Sequence, residues 1–298
     1  MAVTGSSGLI GSALVPFLRA GGHEVVRLVR RAPEAKDEAR WDPDRGAIDS
    51  AALEGVDAVV HLTGENIAEG RWTAARKERL RTSRVGPTRL LAETLAGLKA
   101  KPRVLVSASA VGYYGSRGDA WMSERDAPAE GFFGRLCVEW ERAAAVASEA
   151  GIRVVHPRMG IVLSPAGGAL GKMLLPFKLG LGGVMGPGTQ YMSWIALDDL
   201  LGVLHHALDN TSLSGPVNAV APAPVTNAEF TKTLGRVLGR PTIAPVPAFA
   251  LRLAFGEMAD EALLASTRVH PERLQQSGYR FRFPDLEGAL RHVLGKAS

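Results

Sequence analysis

At 298 residues the chain is long enough to bury a sizeable core as one large domain or two modest ones, and an apolar share of 46% is ordinary for a globular protein. The formal net charge is +5, yet aromatic residues make up only 6% and no block of basic side chains interleaves with them, which argues against a nucleic-acid surface. The single cysteine, Cys137, excludes an internal disulfide framework and a zinc ribbon. No apolar run approaches the ~18 residues of a membrane span, and glycines interrupt the apolar start before Arg19, unlike a secretory signal. The expectation is a cytoplasmic protein whose partner is a small molecule, with neither membrane nor nucleic acid involved.

The chain opens MAVTGSSGLIG. Met1 to Thr4 is a short apolar strand, Gly5, Gly8 and Gly11 recur every three residues, and SALVPFLRAGGHEVVRLVR follows as helix and then strand. In a strand, tight turn and helix of this kind, glycines bend the backbone and admit a pyrophosphate close to the main chain. The helix N-terminus then turns its unpaired amides toward the phosphates. The spacing is G-x-x-G-x-x-G rather than G-x-G-x-x-G, so the surrounding elements, more than the pattern, carry the reading of a dinucleotide site. The second strand ends in Arg30 and Arg31, about twenty residues after the turn, where an NAD-specific site places a carboxylate on the ribose. Two guanidinium groups with no carboxylate beside them suit the 2′-phosphate of NADP; otherwise they are solvated charges at a strand end.

Further along, GVDAVVHLTG, RVLVSASAVGYYG and IRVVHPRMGIVL read as strands, with helices TSRVGPTRLLAETLAGLK and GRLCVEWERAAAVASEAG between them. The run RWTAARKERLRTSR has helical rhythm and mixed sign. Strands alternating with helices predict an α/β fold, a Rossmann-type doubly wound parallel sheet with right-handed crossovers. The loops after Val29, His61 and Val106 should then converge on the cofactor. Beyond Leu163 a glycine-rich loop-helix-loop begins, YMSWIALDDLLGVLHHAL and GPVNAVAP return to the sheet, and the chain from about Pro222 is mostly helical. The expected organisation is a sheet domain over 1–163, completed by about 191–221, and a smaller, mostly helical lobe from 164–190 and 222–298 that forms a substrate pocket.

TGSSGLIG, DAVVHLTG, VSASAVGYYG, WIALDDL and GPVNAVAP together resemble the extended short-chain dehydrogenase/reductase superfamily, the branch of sugar-nucleotide epimerases. GENIAEGRWTAARKERLRTSRV, PFKLGLGGVMGPGTQYMSWI and HPERLQQSGYRF are similar to the marks of its atypical epimerase-family members, most of which lack an assigned substrate. The resemblance implies that Gly5, Ser7, Gly8, Leu9, Ile10 and Gly11 hold the pyrophosphate and that Leu62, Thr63 and Gly64 line the nicotinamide side. It implies that Ser107 and Ala108 close over the ribose and nicotinamide, and that Glu65 and Arg84 are this branch's own cofactor or pocket residues. Asp42 either approaches the adenine or is a plain turn aspartate, and a homodimer through two helices of the sheet domain follows by analogy.

The superfamily relay resembles Ser, Tyr and Lys, with the last two spaced Y-x-x-x-K, and here Phe133 and Cys137 occupy the Tyr and Lys positions. A phenyl ring exchanges no proton, and a thiol supplies no fixed positive charge. Ser109 matches the serine, and Tyr113 and Tyr114 stand nearby as proton donors or as interface packing. Cys137 reads as buried filler, and His156 as a core or surface histidine. Glu65 is an acid or base or a structural cap, and Arg158 is a partner for an anionic ligand group. Two functions remain open: an NADP-dependent oxidoreductase or epimerase-like enzyme on a small polar substrate, or an NADP-binding sensor without turnover.

Overall fold

Nine strands form one sheet: β1 (Ala2–Thr4), β2 (Val26–Val29), β3 (Glu38–Asp42), β4 (Ala47–Ile48), β5 (Ala58–His61), β6 (Val104–Ser107), β7 (Ser109–Ala110), β8 (Arg153–Met159) and β9 (Gly215–Ala219). They are described in a computed structural model that covers residues 1–296. The spatial order is β9-β8-β6-β5-β1-β2-β3-β4, with β7 beside β8, and every pairing is parallel except the β3–β4 hairpin. Strand order reverses between β1 and β5, and a doubly wound sheet opens its ligand crevice at such a point, beyond the carboxyl ends of its strands.

Successive residues point to opposite faces, and both faces are covered, as a parallel sheet requires. Val60 and Val106 pack against α1 (Leu9–Ala20) and α6 (Leu197–Asp209), while Val59 and Leu105 pack against α2 (Ala74–Gly97) and α4 (Ala145–Glu149). A third core is separate from both. There the strand Ile161–Leu163 pairs with Trp194–Ala196, and Phe177, Trp194, Phe230 and Leu290 join α5 (Gly168–Lys178), α7 (Asn227–Leu238) and α10 (Leu286–Val293).

The structure departs from the sequence reading in three places. IRVVHPRMGIVL is not one strand. A Cβ on Gly160 would stand 2.6 Å from the Ser193 carbonyl oxygen, so the chain passes here with no side chain and leaves the main sheet for the strand at Trp194. Helix α2 begins at Ala74, with the Thr73 hydroxyl accepting from the Arg76 amide at 3.2 Å, so the mixed-sign run forms its first turns. The β3–β4 hairpin was not anticipated; it places Trp41 in the core at 2% exposure.

Trp41 closes that edge of the core. Trp41→Ala is expected to lower unfolding stability by ~3–5 kcal/mol, read as a shift in denaturant midpoint with unchanged slope.

Candidate functional site

The glycine turn is built from steric necessity. Gly5 has φ +66°, and a Cβ there would lie 2.9 Å from the Leu62 carbonyl carbon and oxygen. A Cβ on Gly11 would fall 2.2 Å from the Gly5 oxygen, so the first turn of α1 rests directly on the loop. Gly8 is the N-cap of α1, with no side-chain hydrogen bond and no acidic residue in the first turn. The helix start at Leu9, Ile10 and Gly11 thus keeps its positive end free of side-chain anions, and Ser7 and Gly8 are exposed at its mouth.

Facing it is the loop after β5. The Thr4 hydroxyl oxygen accepts from the Leu62 amide at 3.2 Å and from the Thr63 hydroxyl at 3.0 Å, tying the ends of β1 and β5 together. Below them, His61 contacts Thr4 Oγ1 through Nδ1 at 2.8 Å and Thr88 Oγ1 through Nε2 at 2.9 Å, and the Trp140 indole donates to the same Thr88 oxygen. Burial pulls the His61 imidazole down to about 3, so it is neutral here. Gly64 lies against Arg84, whose Cζ would be 3.1 Å from a Cβ at that position.

Arg84 comes from α2 and is 7% exposed. It donates to the carbonyls of Leu80 (3.1 Å) and Glu65 (2.7 Å), its Cζ sits 5.1 Å from the Trp140 ring centroid, and its buried Nε has no partner among the described residues. Burial pulls it down to about 10, which leaves it cationic at neutral pH. It stands close enough to Cys137 for the two groups to act on each other's charge. The Glu65 carboxylate is taken by Arg76, and its amide accepts no anion, since it donates to Ser83 Oγ at 3.2 Å.

At the end of β2 the structure separates the two arginines. Pairing of Arg27 with Glu38 brings a carboxylate to this edge that the sequence reading did not foresee. Glu38 receives Arg31 at 2.8 and 2.6 Å, and that hydrogen bonding holds the carboxyl below its usual range. Arg30 is exposed and makes no hydrogen bond or ion pair among the described residues. Asp42 faces its own hairpin turn, 3.7 Å from Arg45.

The loops after β6 and β7 supply the rest. Ser107 is fully buried and its Oγ has no partner among the described residues, while the Ala108 amide donates to the His61 carbonyl at 2.9 Å. Ser109, 1% exposed, donates to Glu141 Oε1 at 2.6 Å. Glu141 also receives Arg158 through Nε and Nη2, both at 2.8 Å, so the Arg158 charge is already matched and is not open to an anionic ligand as expected. Burial opposes the Arg158 charge, but the Glu141 hydrogen bonds and charge outweigh it and raise its pKa.

The two tyrosines differ. Tyr114 is fully buried, receives Arg158 Nη1 at 3.0 Å and donates to Asn218 at 2.7 Å, and burial pushes its phenol up to about 12. Tyr113 is half-buried, lies flat against the Arg158 guanidinium at 3.4 Å from its ring centroid, and has no hydrogen bond on its hydroxyl among the described residues.

On α3 (Phe132–Arg142), Phe133 packs against Gly112 and meets Trp72 edge-on at 5.8 Å. Cys137 is fully buried, and burial pushes its thiol up to about 12, as suits filler rather than a nucleophile. Sequence reasoning missed two acids. Glu141 was legible only as a residue one turn beyond Cys137 on the same helix. Glu261 bears on α3 from 129 residues away, accepting from the Phe132 and Phe133 amides at 2.9 and 2.7 Å.

These features define a dinucleotide-binding protein of Rossmann type. The chain belongs to the NAD dependent epimerase/dehydratase family, which matches residues 1–219, and residues 246–293 match a domain of unknown function. It is 50% identical to the epimerase family protein Mb2239 of Mycobacterium bovis over 98% of this chain and 97% of that one. It is 39% identical to the human epimerase family protein SDR39U1 over 98% of each. The crystal structure of that human protein with NADPH superposes with a TM-score of 0.92 over 99% of both chains at 37% identity.

The neutral, buried His61 carries a pH signature. Its folded pKa lies below the unfolded value near 6.5, so its contribution is complete above about pH 6.5 and is lost as pH falls toward 3, by at most ~1.4 kcal/mol per pH unit. Thermal unfolding is expected to show that slope and His61→Gln to reduce it; the remainder is shared by His156 and His206, which burial also holds low, and by the arginine-paired carboxylates Asp37, Glu38 and Glu287.

Proposed function

We propose that the chain is an NADPH-dependent oxidoreductase or epimerase-like enzyme acting on a small polar substrate. The observation that carries the reading is the uncapped N-terminus of α1 seated on the Gly5 turn and faced by Leu62, Thr63 and Gly64. The cradle, with Cβ atoms sterically barred at Gly5 and Gly11, fits a pyrophosphate. Arg30, unpaired among the described residues, takes the 2′-phosphate, with Arg31 held beside it by Glu38. The unsatisfied Ser107 hydroxyl and Ala108 meet the ribose and nicotinamide, and Glu65 bounds that side through its backbone and its pairing with Arg76. When bound, the cofactor supplies or accepts the hydride.

The chain must then supply charge and a proton without the usual Tyr and Lys. Arg84 offers a fixed cation near the position that Cys137 leaves uncharged, and its free Nε is the donor that replaces the lysine's. Tyr113 is the proton-carrying group: it is half-buried, its hydroxyl has no partner among the described residues, and Arg158 against its ring holds the ring in place. Ser109 acts through Glu141, fixing the carboxylate that orients Arg158. The second reading, an NADPH-binding sensor without turnover, is favoured by Phe133 and Cys137 themselves. A cytoplasmic location agrees with the single cysteine.

NADPH is expected to bind at least tenfold more tightly than NADH, ~1.4 kcal/mol, and Arg30→Ala to erase most of that preference in fluorescence titrations. In a panel of carbonyl compounds and nucleotide sugars, Tyr113→Phe is expected to lower turnover by ~10²-fold with NADPH affinity unchanged. Tight NADPH binding with no oxidation by any panel member selects the sensor instead.

A further inference from the structure

Six large apolar side chains stand in solvent on one side of the helical lobe: Leu175, Leu179, Leu181, Ile243, Phe249 and Leu253, each between 61% and 79% exposed. Local structure places them together. Leu175 and Leu179 are one turn apart at the end of α5, and Phe249 and Leu253 are one turn apart on α8 (Ala248–Phe255). The chain between joins the two helices: Ala244 donates to Gly182, Val246 to Val184, and Gly186 to Val246, which sets Leu181 and Ile243 beside that seam. Monomeric soluble proteins rarely leave so many large apolar groups contiguous and uncovered.

Within the two segments that carry them the charge has one sign, and the acids that flank these segments, Glu257, Asp260 and Glu287, are each paired with a cation. Residues 164–197 and 230–256, which build this surface, contain no aspartate or glutamate, and their only charged side chains are Lys172, Lys178, Lys232, Arg236, Arg240 and Arg252. Arg236 pairs with Glu287 and Arg252 with Asp260, both acids from outside the two segments. Lys178 and Arg240 are exposed and make no ion pair among the described residues. Lys178 lies on the same helix face as Leu175, and Arg240 precedes Pro241, which touches Gly180 next to Leu179. By contrast, the exposed face of α2 runs Glu78, Thr82, Arg89 and Glu93, so the apolar surface is not on the sheet-domain helix from which a dimer was expected.

We infer that this face docks on an anionic lipid membrane. Exposed aliphatic and aromatic groups interleaved with unpaired cations, and free of anions over two long segments, complement an acyl boundary beneath negative headgroups. Long Lys and Arg stems reach upward to the headgroups while their neighbours enter the interface. No helix among the described residues is long and apolar enough to cross a membrane, so the attachment is peripheral. The surface borders the cofactor crevice: Lys172 donates to the Ala68 carbonyl at 2.7 Å and Arg71 to the Leu253 carbonyl at 2.9 Å, joining it to the loop that follows Gly64.

The test is sedimentation of the full chain with phosphatidylcholine vesicles, with and without phosphatidylglycerol. At least about tenfold stronger partition onto the anionic vesicles is expected, falling as salt rises. The double variant Phe249→Ser/Leu253→Ser should lose binding to both vesicles, and Lys178→Glu/Arg240→Glu should lose only the preference for phosphatidylglycerol. Both should keep wild-type NADPH affinity, which shows that the crevice is intact and separates this result from any failure of the proposed activity. The inference is overturned by wild-type protein that ignores both vesicles, by variants that bind as wild type does, or by concentration-dependent self-association that the apolar variant abolishes, which assigns the face to a second copy of the chain.

Discussion

The contact between Gly5 and Leu62 is the constraint from which the site follows. Two parallel strands that neighbour each other in the sheet send their following helices to opposite faces, and the loops that leave them meet with no room for a single Cβ. That closeness lets the Thr4 hydroxyl bridge both Leu62 and Thr63, and it puts α1 directly above the turn. A side chain at Gly5 or Gly11 has to push the loops apart, and a side-chain cap at Gly8 fills the space an anion needs. Fold and binding chemistry are one demand here, because the packing that excludes side chains also leaves the first helix amides without side-chain partners among the described residues.

The apolar face of α3 is matched by charge that other elements bring beside it. Phe133 and Cys137 turn that helix face apolar, and Phe133 fills the space over Gly112. Two buried arginines arrive from other elements. Arg158 is neutralised by Glu141 through two hydrogen bonds, the arrangement a buried ion pair needs to offset desolvation. Arg84 is not: it rests on two backbone carbonyls while the nearest acid, Glu65, pairs with Arg76. Its cost of burial is visible in a pKa pulled to about 10. A cation kept in this way at the edge of the crevice makes structural sense where an anionic ligand lies beside it.

What the sequence made legible was what local pattern determines. Glycines every three residues, β-branched runs of four, and the helices between them fix the strand ends at which Gly5, Leu62 and Ser107 sit, so the meeting of those loops follows from local pattern. The hairpin at Trp41 was hidden because RWDPDRG reads as a turn with charged flanks, and only the packing of Trp41 under β2 shows it to be core. The ion pairs were hidden for another reason. Glu38 and Arg31, or Glu141 and Arg158, are brought together by strand register and by the crossing of a helix over the sheet, and nothing in the spacing of either pair announces it. Hence the expectation of two free arginines after β2 became one free and one paired, and Arg158 became an internal support.

One of the points that join the helical lobe to the sheet domain is marked by neither motif nor composition. Glu261 offers both carboxylate oxygens to the amides of Phe132 and Phe133, acting from a distant part of the chain as the cap that α3 lacks, since Gly131 has no side chain to provide it. A Cβ on Gly131 would stand 2.7 Å from that carboxylate, so the missing side chain is what admits the lobe. The helix start is an anchor for the lobe, Phe133 at that start is a packing residue, and Tyr113 belongs to the loop from the sheet. The lobe is thereby held through the helix, and Gly112 leaves room for Phe133 to pack between that helix and the loop that carries Tyr113.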